Sequence, residues 1–201
     1  ERSDGFTLAA NWERNLRKWY VGVAVDAFYT QIQHSFVLEE LENSALFILE
    51  KRNGPNATVQ GLNFEINASF AAQLTLQASY TIQKSYYDAP IVWSADAPEQ
   101  DITRQMLRTP NQYGNGIVSW QTSKGWNFSS SGVFTGSMLV PHFAGSILQD
   151  RLEVSPVFWE WNAKIAKDFA FKEHYRFSVF CGMQNILNSY QRDFDTGPLR
   201  D

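Results

Sequence analysis

The chain has 201 residues, 44% hydrophobic, 15% aromatic and 19% charged, with a formal net charge of -4 and a single cysteine. That length supports one domain with a sizeable core; lone Cys181 excludes an intramolecular disulfide framework or a thiolate metal cluster, and the absence of any long charge run gives no reason to expect nucleic acid as a partner. The longest near-apolar runs, Trp19 to Val25 and Ala45 to Leu49, fall far short of the roughly 18 to 20 residues of a membrane-spanning helix, but a spanning barrel strand needs only about 9 to 11, half of them facing a polar lumen.

The first residues, Glu1 to Asp4, include neither Met nor a signal peptide, so the chain reads as an internal fragment whose secretion signal would lie upstream. Phe6, Leu8, Ala10 and Trp12 then alternate with Thr7, Ala9, Asn11 and Glu13, and Arg14 to Lys18 reads as a tight connection. From Trp19 the alternation resumes, with Val21, Val23, Val25, Ala27 and Tyr29 on one side and Gly22, Ala24, Asp26, Phe28 and Thr30 on the other, extending to about Leu38. A period of two is a strand signal and not a helical one. Residues 39–56 read as a long loop with strand-like extensions. Leu62 to Phe70 and Leu74 to Ile82 form the next two alternating runs, turned at Ala71 and Ala72; the polar face of the second is entirely amide and hydroxyl.

Residues 86–113, carrying Pro90, Pro98 and Pro110, read as a long irregular connection. Strands are expected at about 115–121 and 126–135 around the turn Thr122 to Gly125, followed by a long loop over 136–155. The last quarter holds the clearest pair. Val157, Trp159, Trp161, Ala163, Ile165 and Phe169 face one way and Phe158, Glu160, Asn162, Lys164, Ala166 and Asp168 the other; after a turn at 170–174, Tyr175, Phe177, Val179, Cys181 and Met183 repeat the apolar face. Lys167 interrupts that face just before the turn, where its stem can lie along apolar surface while its ammonium reaches water.

The connections alternate strictly, short at 14–18, 71–73, 122–125 and 170–174 and long at 39–56, 86–113 and 136–155. Outer-membrane barrels sort their connections in this way, with short periplasmic turns and long external loops, whereas a soluble sandwich has no reason to. Trp12, Trp19, Trp120 and Trp126 stand beside the expected short turns, as an aromatic girdle requires, although aromatics filling a soluble sandwich core would give the same composition.

On these residues the chain resembles the C-terminal part of the barrel of TonB-dependent outer-membrane receptors. Asn53 to Glu65, NGPNATVQGLNFE, is similar to the family's loop-to-strand transition, with Asn63 where the family usually places its Glu; Arg108 to Asn115, RTPNQYGN, resembles its proline-containing return into a strand, and Thr135 to Met138, TGSM, a strand end. Asn185 to Gln191, NILNSYQ, followed by Asp193 to Asp201, DFDTGPLRD, resembles the penultimate strand's exit and the last external loop in the style of Bacteroidetes receptors. The resemblance implies an all-β fold: an antiparallel meander of transmembrane hairpins forming part of a large barrel of roughly 22 strands. It implies that residues 1–201 are a partial barrel domain without the plug domain or the last strand. It further implies a Gram-negative outer-membrane location and TonB-energised uptake of a siderophore, cobalamin or glycan. The partners would be membrane lipid, the protein's own plug and through it the TonB complex, the small-molecule or glycan substrate, and a surface lipoprotein.

No catalytic or cofactor motif is present: His34, His142 and His174 are far apart in sequence, and there is no phosphate loop, GxSxG or HExxH. Neither enzyme activity nor a cofactor is expected. Glu160, Lys164 and Asp168 share a face and read as lumen-facing charges. Aromatic and acidic residues on external loops capture sugars or metal chelates, which makes Tyr86, Tyr87, Trp93, Asp96 and His142 the candidate substrate contacts, with ordinary loop packing as the alternative for each. A passive porin-type barrel and a soluble carbohydrate-binding or adhesion sandwich are the competing readings of the whole.

Overall fold

The computed structural model describes residues 2–40, 49–94, 102–143, 148–171 and 175–191. Its main strands are β1 (Arg2–Leu16), β2 (Trp19–Gln33), β5 (Ala57–Phe70), β6 (Leu74–Ile91), β8 (Gln112–Gln121), β9 (Trp126–Thr135), β12 (Phe158–Phe171) and β13 (Tyr175–Met183). The short strands are β3 (Phe36–Glu40), β4 (Leu49–Asn53), β7 (Thr103–Gln105), β10 (Leu139–His142) and β11 (Arg151–Val154). The main strands form one antiparallel sheet in the order β1-β2-β5-β6-β8-β9-β12-β13, with β7 added to β6; β3 pairs with β4 and β10 with β11 as separate hairpins. Each main strand therefore hydrogen-bonds to the next main strand along the chain, as in a meander.

The register carries the alternating pattern from strand to strand without a slip. Leu16, Trp19, Phe70, Leu74, Trp120, Phe128, Ile165 and Cys181 form one cross-strand row. Ala10, Val25, Phe64, Tyr80, Gly114, Phe134 and Trp159 form another. Because directly opposed residues share a face, every apolar run lies on the same side of the sheet, here called outward. Residues 6 to 16 of β1 rise about 33 Å along the strand, and a tilt of about 40–45° reduces that to about 25 Å, the height of the apolar band of a membrane barrel.

Among the described residues no second layer covers this face. Phe6 and Leu8 are 76% and 77% exposed, and among the described residues only Ala57 and Val140 are buried apolar side chains. A sandwich core needs two packed sheets, so the sandwich alternative does not describe this fold.

Several boundaries differ from the sequence expectation. β1 and β2 pair up to Leu16 and Trp19, so the first connection is Arg17 and Lys18 alone, with Arg17 in the left-handed region, and the expected turn at 14–18 is mostly strand. β2 stops at Gln33 instead of running to Leu38, because His34 turns to φ 53° and Ser35 is bonded to Pro55. The loops expected at 39–56 and 136–155 carry the β3-β4 and β10-β11 hairpins. β8 begins at Gln112 rather than 115, and Ala170 and Phe171, expected in a turn, pair with Arg176 and Tyr175. The short/long sorting itself stands: residues 17–18, 71–73 and 122–125 connect strands at one end, and the stretches 34–56, 92–111 and 136–157 at the other.

Candidate functional site

The inward face is polar and bonded to itself. Thr81 donates to the Asn63 side-chain oxygen at 3.0 Å, and the Asn63 amide donates to Glu65 at 3.0 Å and Asp26 at 3.5 Å, linking β2, β5 and β6. Nearer the short turns, Asn127 and Ser178 donate to the two oxygens of Asp168 at 2.7 and 2.6 Å, linking β9, β12 and β13. Glu160 accepts from Asn162, and the Lys164 ammonium lies 4.5 Å from the centre of the Phe180 ring, so Glu160, Lys164 and Asp168, three of the four charged residues of β12, line the inward wall. At Gly61 the wall needs glycine: an added Cβ would stand 2.8 Å from the Phe28 ring and 2.9 Å from the Gln83 Cα, and the ring lies across the space a side chain would fill.

The candidate contacts lie at the long-connection end, where the strands outrun the apolar band and fold onto one another. β6 continues past Ile82 and is tied down by its neighbours: Asp88 N–H donates to the Asn56 carbonyl at 2.8 Å, Met106 N–H to that of Ser85 at 3.1 Å, and the Arg104 guanidinium to those of Tyr87 and Asp88. Tyr86 and Tyr87 are therefore strand residues, not loop residues. They pair with Thr58 and Ala57, and as consecutive strand residues they point to opposite faces, Tyr86 outward and Tyr87 inward. Burial pushes the Tyr87 hydroxyl pKa up.

Trp93 reaches the residue that follows His142. The Trp93 ring meets Phe143, the residue after His142, edge to face at 5.6 Å, and Ser94 donates to the Asp150 carboxylate, so the segment leaving β6 is bound to the segment entering β11. His142 is not a loop residue either: it pairs with Arg151 in the β10-β11 hairpin, is 4% exposed, and places Nε2 3.7 Å from Glu153, which also holds Arg151 at 2.6 Å. The hairpin is fastened at its base, where Ser155 N–H donates to the Met138 carbonyl and Met138 N–H to the Ser155 hydroxyl. Asp96 lies outside the described residues, as does the tail from Arg192 onward. Ser94, Arg104 and Asp150 organise this end and were not singled out from the sequence, since their partners are distant along the chain. Among the described residues no group of three His, Cys, Asp or Glu side chains could hold a metal.

The chain is similar in fold to part of a solved receptor. It is similar to the ferric-catecholate import receptor Fiu of E. coli K12 in its closed form, with a TM-score of 0.61 and 14% sequence identity over 92% of this chain. The chain spans 23% of that receptor's length. No protein-family model matches the chain, and no curated sequence does. The likeness carries the fold: an all-β antiparallel meander of the kind that builds a large outer-membrane receptor barrel, as the resemblance to TonB-dependent receptors implied.

Proposed function

We propose that the chain is part of the barrel wall of a TonB-dependent receptor in the outer membrane of a Gram-negative bacterium, where the intact protein takes up a scarce nutrient. The observation that carries this reading is the outward apolar face, continuous in register across eight strands and about as tall as a membrane's apolar band, with every long connection at one end. The resemblance of the sequence motifs and the likeness to a ferric-catecholate importer support transport rather than catalysis. Under this reading the polar inward wall faces the receptor's own plug domain, which couples to the TonB complex. The substrate is a siderophore, cobalamin or glycan, with a ferric catecholate the first to test. Trp93, His142, Tyr86, Tyr87 and Asp96 are the proposed substrate contacts, a surface lipoprotein is a proposed partner, and the tail is proposed to follow the Bacteroidetes pattern.

The test is accumulation of labelled ferric catecholate, cobalamin and oligosaccharides by cells expressing the intact protein, with and without an uncoupler of the proton-motive force. Energised uptake of one of them is expected. Uptake that ignores the uncoupler would favour the passive porin-type barrel, and accumulation of none of them would overturn the transport reading.

A further inference from the structure

Lys167 is the one residue of the β12 outward run that the apolar pattern does not account for, and its surroundings give it a role. It pairs with Trp126 on one side and Val179 on the other, in the outward row nearest the turn Thr122 to Gly125. Its ammonium donates to the Lys124 carbonyl and lies 5.2 Å from the Trp126 ring centre and 5.6 Å from that of Phe169. An ammonium has three donors, and two aromatic faces with one carbonyl fix its position without neutralising its charge. The neighbouring carboxylate, Asp168, faces inward and is bonded to Asn127 and Ser178. Among the described residues no carboxylate lies within ion-pair distance of Lys167.

One row beyond this cation, whose own side chain does not line it, the outward face is hollow. A depression of about 820 Å³ is walled by Trp120, Phe128, Ile165, Cys181 and Met183, with the small residues Ser130 and Ala163 on the adjoining row. The stacked Trp120 and Phe128 rings, 5.4 Å apart, make one side; Phe128 in turn stacks on Trp126 at 6.3 Å, so one aromatic series runs from the hollow to the ammonium. Its size falls in the range of about 300 to 1,000 Å³ typical of small-molecule pockets. A fixed cation at the membrane interface, continuous with an apolar hollow toward the membrane centre, matches a molecule with an anionic head and an apolar chain.

We propose that Lys167 and this hollow bind an anionic phospholipid of the periplasmic leaflet, its phosphate on the ammonium and one acyl chain along the β9-β12 seam. This rests on the membrane placement proposed above.

The test uses the intact protein in phosphatidylcholine nanodiscs carrying either spin-labelled phosphatidylglycerol or spin-labelled phosphatidylcholine, and reads the motionally restricted fraction of each by EPR. Phosphatidylglycerol is expected to be preferred by about fivefold. The preference should fall below about twofold in Lys167→Gln, persist in Lys167→Arg, and persist in Lys84→Gln, which removes an outward cation at the opposite end. Ala163→Leu, which fills the hollow and leaves the charge, should weaken it. Equal restriction of the two lipids by the native protein overturns the site and leaves the membrane reading intact, and this needs no variant to fold. Loss of the preference in Lys84→Gln, or its displacement by inorganic phosphate at constant ionic strength, also overturns the site. The absence of any restricted lipid would instead overturn the membrane reading.

Discussion

On β5 the outward residues Leu62, Phe64, Ile66 and Ala68 alternate with the inward residues Gly61, Asn63, Glu65 and Asn67, so the two faces share one backbone and differ in what their side chains meet. The inward side chains bond to one another across strands, through Asn63, Thr81 and Asp26. The outward ones have neighbours along their rows but no opposing layer, and Leu62, Phe64 and Ile66 remain 36% to 41% exposed. The two faces hold the sheet together in different ways. Its hydrogen bonds and inward contacts are internal, whereas its largest apolar surface is left for the surroundings to cover, which under the proposed membrane placement is lipid.

The sharpest way to break this comparison is to place the same charge on each face. Ile66→Lys sets an ammonium in the middle of the apolar band and is expected to destabilise the intact protein in phospholipid vesicles by about 2 to 4 kcal/mol, read as a shift in its urea unfolding curve. Asn67→Lys, one residue away on the inward wall, should change stability by less than about 0.5 kcal/mol. Equal costs for the two would mean that the faces do not meet different solvents.

A steric contrast should follow at about half that size. A Cβ at inward Gly61 would run into the Ile82 carbonyl oxygen and the Phe28 ring, whereas at outward Gly132 its nearest atom, the Glu160 carbonyl oxygen, stands at 3.7 Å; the cause is how closely the neighbouring backbone approaches, since outward Gly114 would meet the Ser79 carbonyl oxygen at 2.6 Å. Gly61→Ala is expected to cost about 1 to 3 kcal/mol by overpacking, and Gly132→Ala close to nothing. The same unfolding measurement separates them, and a costly Gly132→Ala would show that the outward surface is packed more tightly than its exposure indicates.

How much of this could be read from the sequence follows from the two faces as well. Inside the band, a polar, bonded face on one side and an apolar face on the other impose a period of two, and the runs in β2, β5, β6, β12 and β13 were legible for that reason. Beyond the band that contrast ends. Lys84 breaks the outward run of β6, so Tyr86 to Ile91 looked like loop although the strand continues, held by Asn56, Arg104 and Met106. The β3-β4 and β10-β11 hairpins were hidden in the same way. The placement of the candidate contacts was the least legible: Tyr86 and Tyr87 lie in a strand that sends them to opposite faces, and the burial of His142 depends on a hairpin partner, Arg151, that no local pattern announces. Lys167 was visible as an anomaly, but its companion Trp126 lies in a different hairpin.

A smaller internal test is the inward ladder itself. Asn63 donates to Glu65 and Asp26 and accepts from Thr81, so Asn63→Ala removes a junction between β2, β5 and β6 while leaving the outward face unchanged. Two of these bonds go to carboxylates, but the side chains are partly exposed and water competes for them, so about 1 kcal/mol of destabilisation is expected. Phe64→Tyr, the outward neighbour, serves as the control that keeps size and adds a hydroxyl to the other side. If Asn63→Ala had no effect in vesicles, water in the lumen would be replacing the bonds at no cost, and the inward face would be a wetted wall rather than a bonded one.

The smallest effect concerns the turn between β5 and β6, which belongs to neither face. Ala71 and Ala72 both have positive φ, 51° and 54°, in a connection closed by Gln73 N–H donating to the Phe70 carbonyl at 3.0 Å. The left-handed region costs a residue with a Cβ about 1 kcal/mol and costs glycine almost nothing, although glycine gains freedom in the unfolded chain that offsets part of the relief. Ala72→Gly is therefore expected to stabilise by about 0.5 kcal/mol, and Ala71→Gly by a similar amount, with the apolar and polar faces both untouched. Stabilisation that is the same in vesicles and in detergent micelles would place the effect in the backbone, where the dihedral angles put it. An effect that changed with the medium would mean that the turn lies in the interface and that its alanines contribute through lipid contact, extending the outward face past the row of Phe70 and Leu74.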